Sequence, residues 1–323
     1  MLLMSCVLGS AQSHWTVTEI PGQRDTAFLR MLFASDRVGW LLAGLNTILK
    51  TTDAGRTWTV LNTGLVRPGT DVSGLWFADE HRGWAAGAID QQPTIWETGD
   101  GGESWAVEQS WPRAYGDANG AMLDIRFADA THGWAVGFNG GDAIIVASSD
   151  AGRHWKTQYT GAEITGQFQE VRCEDATNCW VLGPSGVMRT ADGGESWRLM
   201  YFDNGLLFDI DVVGHSNVWV AGVWGHLLHA TRRGTMWHRV PFTGMGTSFF
   251  VGVRFVSGDL GWACTTNGEI LMTRDGGKTW IREASPIDHH WLGPEIVVGA
   301  MASTSSTLFA IANPGHLLAR PIK

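Results

Sequence analysis

Short apolar runs alternate with glycine, aspartate and asparagine along the whole chain. Three consecutive runs, 123–127, 133–137 and 143–147, show the pattern clearly, because turn residues separate each run from the next. Apolar runs of this length between turn signals predict antiparallel β-strands joined by hairpins. A fourth strand is predicted to begin near Trp155, so the predicted unit is a sheet of four short strands.

One phrase, Asp-x-Gly-x-x-Trp, marks the turn before the fourth strand of each unit. The aspartates of its intact copies are Asp53, Asp100, Asp150, Asp192 and Asp275. A sixth copy keeps Gly234 and Trp237 but has Arg232 in the place of the aspartate. Successive copies are 40 to 50 residues apart, which is typical of a repeat architecture. Because aspartate accepts hydrogen bonds from turn amides and glycine permits a positive φ, these aspartates are predicted to be structural.

A second phrase, a turn followed by an aromatic residue, marks the second strand of each unit. Its aromatic residues are Trp40, Trp84, Trp134, Trp180, Trp219, Trp262 and Phe309. This phrase has seven copies and the first phrase has six, so one of the seven units lacks its outer, fourth strand. The N-terminal stretch 14–17 resembles 57–60 and supplies that strand. We therefore predict an all-β protein, a seven-bladed β-propeller of four-stranded blades closed by the N-terminal strand. Residues 14–323 are predicted to form this single domain.

Composition and charge argue against several classes of function. The net charge of −9 argues against a nucleic-acid partner, which requires a basic surface. No apolar run reaches the roughly 18 residues of a membrane-spanning helix. The histidines and cysteines lack metal-binding spacing, so we predict no metal site and no cofactor.

The first residues, 1–13, form an apolar segment that resembles the end of a secretory signal. We therefore expect an exported protein, either periplasmic, lumenal or secreted. Cys6 lies in a stretch that resembles a lipoprotein processing site, so lipid attachment is an alternative. Cys173 and Cys179 flank one predicted hairpin turn and are predicted to form a disulfide, which export would permit.

The longer form of the first phrase, Ser/Thr-x-Asp-x-Gly-x-Thr/Ser-Trp, is the Asp box, or BNR repeat, of sialidases, xyloglucanases and sortilin-type receptors. Together with the Gly-Trp second strand and the seven units, it resembles the photosystem II stability/assembly factor family, and the resemblance covers residues 14–323. This resemblance implies a non-enzymatic lumenal or periplasmic protein that helps to assemble a membrane complex. We accordingly expect a protein partner, such as a subunit of that complex, and a monomeric propeller.

The alternative is a glycan-binding or glycoside-hydrolase propeller similar to the sialidases. A sialidase would place an Arg-Ile-Pro signature before the first Asp box, but this chain has Glu19-Ile20-Pro21 there. The chain has 3 tyrosines, and none has a glutamate partner evident in the sequence. A xyloglucanase-like enzyme holds its carboxylate pair between two propellers, whereas a single propeller is predicted here. We therefore predict no catalytic residues.

Charged residues recur on one face of the predicted innermost strand in units three to six. They stand eight or ten residues before the aromatic residue of the second strand: Asp124, Arg126, Glu170, Arg172, Asp209, Asp211 and Arg254. Their immediate neighbours are mostly apolar, so this face is predicted to line the central channel. Two interpretations are open: an ion-pair network between blades, or a polar surface whose arginines bind a carboxylate or an acidic segment of a partner.

The loops on the face opposite the Asp boxes include several that are long and aromatic. Because loops on a rigid scaffold are free to vary, this face is the predicted partner-binding surface. The residues predicted to bind the partner are Trp111, Tyr115, Phe249, His290, Trp291 and Trp224.

Overall fold

The structure is a computed structural model of the chain. It describes residues 14–44, 46–114, 118–161, 166–203, 205–214, 217–242, 248–283 and 297–322, with backbone alone for 297–300. The described residues form seven antiparallel sheets of four strands each, arranged as blades in a ring. This arrangement confirms the predicted seven-bladed propeller. A search of the described residues for a helix long and apolar enough to span a membrane finds none.

Six blades follow one another along the chain, and the seventh combines both ends. Blades 1 to 3 consist of β2 (Phe28–Phe33), β3 (Gly39–Ala43), β4 (Thr47–Thr51), β5 (Thr59–Val60); β6 (Thr70–Phe77), β7 (Gly83–Ile89), β8 (Gln92–Thr98), β9 (Ala106–Ser110); and β10 (Gly120–Phe127), β11 (Gly133–Asn139), β12 (Asp142–Ser148), β13 (Lys156–Gly161). Blades 4 to 6 consist of β14 (Glu170–Cys173), β15 (Cys179–Gly183), β16 (Gly186–Thr190), β17 (Arg198–Phe202); β18 (Leu207–Val213), β19 (Asn217–Gly222), β20 (His226–Thr231), β21 (Met236–Arg239); and β22 (Phe250–Phe255), β23 (Gly261–Thr265), β24 (Ile270–Thr273), β25 (Ile281–Glu283). Blade 7 consists of β26 (Val297–Ser303), β27 (Thr307–Asn313), β28 (His316–Pro321) and β1 (Thr16–Glu19).

The N-terminal strand closes the ring as the outer strand of blade 7. Strand β1 pairs antiparallel with β28, from Thr16 opposite Ala319 to Glu19 opposite His316. Trp15, just before β1, is buried, and its Nε1 donates a 2.8 Å hydrogen bond to Glu283 of blade 6. The closing strand therefore joins the last two blades as well as completing its own sheet.

The first strand of each blade lies at the centre of the ring. Each contacts the first strands of both neighbouring blades, and β26 contacts β2, so these strands enclose the channel. The sequence analysis expected the first strand to be innermost, and from this it placed the charged face along the channel.

Aromatic side chains fill the spaces between blades. Trp40 of blade 1 stacks on Phe77 of blade 2, with ring centroids 3.6 Å apart, and Phe77 in turn meets the edge of Trp105 from the Asp box of its own blade. Trp84 and Phe127 stack in the same way between blades 2 and 3. The two tryptophans that recur in each unit thus serve mainly to pack one blade against the next.

Each intact Asp box folds through one set of hydrogen bonds. In the first box, Asp53 accepts hydrogen bonds from the backbone N–H of Thr57 at 2.9 Å and from its hydroxyl at 2.6 Å. The Thr51 hydroxyl donates to Asp53 and accepts from the N–H of Gly55. Corresponding bonds to the carboxylate form at Asp100, Asp150, Asp192 and Asp275.

The glycine of the box is required by both backbone conformation and space. Gly277 has a φ of 81°, and a Cβ there would lie 2.0 Å from the ring of Trp219 in the preceding blade. Gly152 has a φ of 82°, and its Cβ would lie 2.5 Å from Trp84. The turn therefore places its glycine directly against the tryptophan of the neighbouring blade, where a larger residue would be both strained and obstructed.

The hydrogen bonds to the Asp-box carboxylates lead us to predict that the folded protein loses stability at acidic pH. Hydrogen bonds from Thr57 lower the pKa of Asp53 to about 2, and those from Thr279 lower the pKa of Asp275 to about 2. Because the folded-state pKa is depressed, the stabilisation is complete above the ordinary aspartate pKa of about 4 and is lost as the pH falls through about 2. We expect the free energy of urea unfolding to fall from pH 5 to pH 2, and to fall less steeply in Asp275→Asn. Asp25→Asn, at an exposed turn, is the control; an unchanged slope in Asp275→Asn would contradict the account.

Deletion of residues 14–20 should destabilise the whole ring, because it removes the burial of Trp15 and reopens the edge of β28. We expect a loss of at least about 3 kcal/mol in the free energy of unfolding, the cost typical of removing one buried tryptophan. Chemical denaturation measures this loss, and a chain that begins at residue 14 is the control. An unaltered unfolding midpoint in the shorter chain would show that ring closure does not depend on β1.

Candidate functional site

Buried carboxylates on the innermost strands bond to the backbone of the next blade. Asp124 is fully buried and accepts a 3.1 Å hydrogen bond from the backbone N–H of Val171 in blade 4. Asp209 accepts a 2.8 Å hydrogen bond from the N–H of Val253 in blade 6. The innermost strand has one edge that no strand of its own sheet covers, and these carboxylates satisfy amides along that edge.

Arg172 is the centre of an ion-pair network across blades 3, 4 and 5. Its guanidinium donates to Asp124 at 3.2 Å and to Glu170 at 3.1 Å, and it lies 3.6 Å from Asp209. Glu170 also accepts a hydrogen bond from the N–H of Ile210 at 3.3 Å. Burial alone would lower the pKa of Arg172, but the three carboxylates outweigh burial and raise it. The cation is therefore an integral part of the packed channel wall.

Asp211 and Arg254 extend the charged lining to blade 6. Asp211 accepts hydrogen bonds from Arg254 at 3.2 Å and from the N–H of Phe255 at 2.7 Å. Burial raises the pKa of Asp211, and burial together with the charge of Glu170 raises the pKa of Asp209. These contacts join six of the seven predicted channel residues along the innermost strands, with an ion-pair network as their main arrangement.

Arg126 is held less firmly than Arg172. Its guanidinium lies 3.8 Å from the Asp124 carboxylate, donates to the carbonyl of Leu75 at 3.4 Å and sits 5.2 Å from the centre of the Trp76 ring. Burial lowers the pKa of Arg126 to about 10. Beside it, a cavity of about 280 Å³ occupies the end of the channel near the Asp boxes, on the face opposite the long loops.

A second cluster of cations lies on the outer surface between blades 4 and 5, and the sequence analysis missed it. It consists of Arg189, Arg198, Arg232 and Arg233, which line a surface cavity of about 370 Å³ together with one acidic residue, Asp192; we call the four arginines the arginine surface. The last three are exposed, whereas Arg189 is half-buried, with its guanidinium 5.2 Å from the centre of the Trp180 ring. The signal in the sequence was Arg232, which stands where the other boxes have aspartate.

The altered Asp box gives the arginine surface its geometry. Arg232 and Arg233 have φ values of 53° and 58°. In the first box, Ala54, the counterpart of Arg233, also has a positive φ of 63°, but Asp53, the counterpart of Arg232, does not. A positive φ is unfavourable for a residue as bulky as arginine. Trp237 still donates to the carbonyl of Gly234 at 2.7 Å, so the turn keeps its packing tryptophan without the carboxylate.

The predicted partner-binding aromatic residues differ in exposure. Trp224 is 67% exposed, whereas Phe249 is half-buried and Trp111 packs against the core between blades 2 and 3. Tyr115, His290 and Trp291 lie outside the described residues. Among the predicted partner-binding residues that the structure describes, Trp224 is therefore the one that is mostly exposed.

Cys173 and Cys179 are bonded as a disulfide across the first hairpin of blade 4, with a Cα–Cα distance of 4.1 Å. Cys173 occupies the position held by Phe77 and Phe127 in blades 2 and 3, so the disulfide replaces an aromatic contact there. Within the described ranges, no group of histidine, cysteine, aspartate and glutamate is placed to hold a metal ion.

Comparison with known proteins supports the family resemblance. The family model described as photosynthesis system II assembly factor YCF48 matches residues 106–207, which include all of blades 3 and 4. The structure described as YCF48 bound to D1 peptide has a TM-score of 0.75 and 17% identity, over 96% of this chain and 97% of that one. YCF48 from Cyanidioschyzon merolae has a TM-score of 0.69 and 18% identity, over 94% and 98%. The chain therefore resembles this family in sequence over part of its length and in fold over nearly all of it.

A glycoside hydrolase shares the fold. A GH74 xyloglucanase from Xanthomonas campestris has a TM-score of 0.74 and 15% identity, over 96% of this chain and 54% of the enzyme. This chain thus corresponds to about half of the xyloglucanase. No curated protein sequence matches the chain.

Arg172 and Arg126 should differ in their contribution to stability. Arg172→Gln removes the closest cation from three carboxylates, so we expect a loss of about 3 to 5 kcal/mol in the free energy of unfolding. Arg126→Gln removes a cation whose nearest carboxylate oxygen is 3.8 Å away, so its loss should be smaller. Urea denaturation at pH 7 compares the two variants, and equal losses would show that the network is not centred on Arg172.

Proposed function

We propose that this chain is a non-enzymatic, exported propeller that binds a partner protein through an acidic segment, and that the arginine surface is the binding site. The observation that carries the proposal is that Arg232 replaces the aspartate of one Asp box and is followed by Arg233. The replacement removes a carboxylate that the other boxes use and adds two exposed cations beside Arg189 and Arg198.

The electrostatics of the surface favour an anionic partner. The chain as a whole carries a net charge of −9, so a cluster of four arginines is a local exception. Burial is the main cause that lowers the pKa of Arg189; Glu174 and Asp175 oppose it, and the charge of Arg233 adds to it. Guanidinium groups bind carboxylates through paired hydrogen bonds, so the exposed Arg198, Arg232 and Arg233 suit an acidic peptide.

The family resemblance supports a protein partner. A structure of YCF48 bound to D1 peptide has the same fold, and Arg189 and Arg198 lie within residues 106–207 of this chain, which the family model matches. By that resemblance, the partner is a subunit of a membrane complex. The export of the chain, proposed from the segment 1–13, would bring it to the compartment where such a complex exposes its lumenal or periplasmic side. We also propose that the propeller acts as a monomer.

The environment of the carboxylates supports a non-enzymatic role. The Asp-box aspartates, such as Asp53 and Asp275, are held by hydrogen bonds that keep their pKa near 2, which is far from that of a general acid. The channel carboxylates Asp124 and Glu170 are bound to arginine and to backbone amides. Both sets therefore have structural partners that account for their positions.

Titration of labelled D1 peptide, followed by fluorescence anisotropy, tests the proposal. Each exposed ion pair contributes up to about 1 kcal/mol, so reversing two charges in Arg232→Glu/Arg233→Glu should weaken binding by about tenfold or more. Added salt should weaken binding to the unaltered protein. A glutamate-rich peptide and its glutamine-rich counterpart test whether charge alone is recognised.

The matched control is Arg56→Glu/Arg153→Glu, which reverses two exposed charges in the Asp boxes of blades 1 and 3. Binding weakened equally by both double variants would refute a specific arginine surface. Loss of binding in Trp224→Ala alone would assign the partner to the long-loop face. Hydrolysis of an aryl glycoside or of xyloglucan at an enzymatic rate would contradict the non-enzymatic role.

A further inference from the structure

The cavity of about 280 Å³ at the end of the channel near the Asp boxes is distinct from the arginine surface. It is bordered by the last residues of the innermost strands, such as Phe33, Phe127 and Ser303, so it lies where these strands reach the first hairpin turns. Further into the channel a much smaller cavity, of about 30 Å³, is bordered by Glu170 and Asp209 of the ion-pair network. The network therefore forms the floor of the larger cavity.

The wall of this cavity is divided by chemistry. Blades 3, 4 and 6 contribute the guanidinium groups of Arg126, Arg172 and Arg254. Blade 5 contributes Asp211, which is paired with Arg254. Blades 1, 2 and 7 contribute mainly apolar or aromatic side chains, among them Leu32, Trp76 and Met301. A ligand that fills the cavity would thus meet three arginines and one paired carboxylate on one side and mainly apolar groups on the other.

Two of the three arginines retain capacity to bind an anion. Arg172 is engaged by three carboxylates, but Arg126 has its nearest carboxylate oxygen at 3.8 Å. Arg254 pairs with Asp211 through Nη1 at 3.2 Å. Its side chain is 35% exposed and borders the cavity, so it is accessible to a ligand there.

We propose that this cavity binds an organic carboxylate that carries an apolar group, with the carboxylate between Arg126 and Arg254 and the apolar group against Trp76 and Met301. Such a ligand satisfies both halves of the wall, whereas an inorganic anion satisfies the cations alone. The volume suits a small free acid or the last residue of a peptide with a free C-terminus.

An entering carboxylate would accept charge-assisted hydrogen bonds from Arg126 and Arg254, and such bonds are stronger than those between neutral groups.

Isothermal titration calorimetry with phenylacetate and hexanoate tests the site in the unaltered protein. Saturable binding of the two acids, with no binding of phenylacetamide or hexanamide, supports the proposal. A tripeptide ending in phenylalanine, compared with its C-terminal amide, distinguishes a peptide terminus from a free acid as the source of the carboxylate. Absence of saturable binding by any acid, or equal binding of acids and amides, would overturn the proposal.

Variants then locate the binding. Arg254→Gln should weaken acid binding by about tenfold or more, because it removes a charge-assisted hydrogen bond, whereas Arg56→Gln on the outer surface should not. Met301→Phe narrows the apolar side and should also weaken binding, with Met236→Phe at an exposed position as its control. Thermal unfolding confirms that each variant is folded. Acid binding that survives both Arg254→Gln and Met301→Phe would show that the acids bind elsewhere.

Discussion

The packing of a tryptophan from one blade against the Asp-box turn of the next is the contact on which the ring depends. Trp219 and Trp84 lie so close to Gly277 and Gly152 that a Cβ on either glycine would overlap the indole. The box therefore requires a glycine with positive φ, a carboxylate to satisfy the turn amides and a tryptophan to close over the gap. A phrase of six residues recurs because these requirements arise at most junctions between blades, although the box of blade 5 lacks the carboxylate.

Departures from this repeat are concentrated in blades 4 and 5. Cys173 replaces the stacking phenylalanine and forms a disulfide, and Arg232 replaces the box aspartate in the following blade. The tryptophan of the altered box still bonds to its turn, so the structural role is preserved while the exposed surface changes. The turn surface of this box thus differs from that of the others while the indole remains packed, and the arginine surface proposed to bind the partner lies on an otherwise regular ring.

The sequence predicted the fold well because its signals are local and repeated. The match of residues 14–17 to 57–60 was enough to place β1 in the last blade, and the alternation around Arg126 placed that side chain in the channel. The hydrogen bond from Val171 to Asp124 could not be predicted, because it joins residues that only the packing of blade 3 against blade 4 brings together. The half-buried state of Trp111 likewise depends on packing between blades rather than on its position in a loop. Arg232 was visible as a broken repeat, but its grouping with Arg189 and Arg198 required the geometry of two adjacent blades.

The central claim is that the partner meets the propeller at the arginine surface of blades 4 and 5. Photo-crosslinking of the bound D1 peptide, followed by mass spectrometry of the linked residues, tests this claim most directly. The account predicts that the crosslinks fall on peptides containing Arg189, Arg198, Arg232 or Arg233, and that an excess of unlabelled peptide removes them. Crosslinks confined to the opposite face, around Trp111 and Trp224, would contradict it.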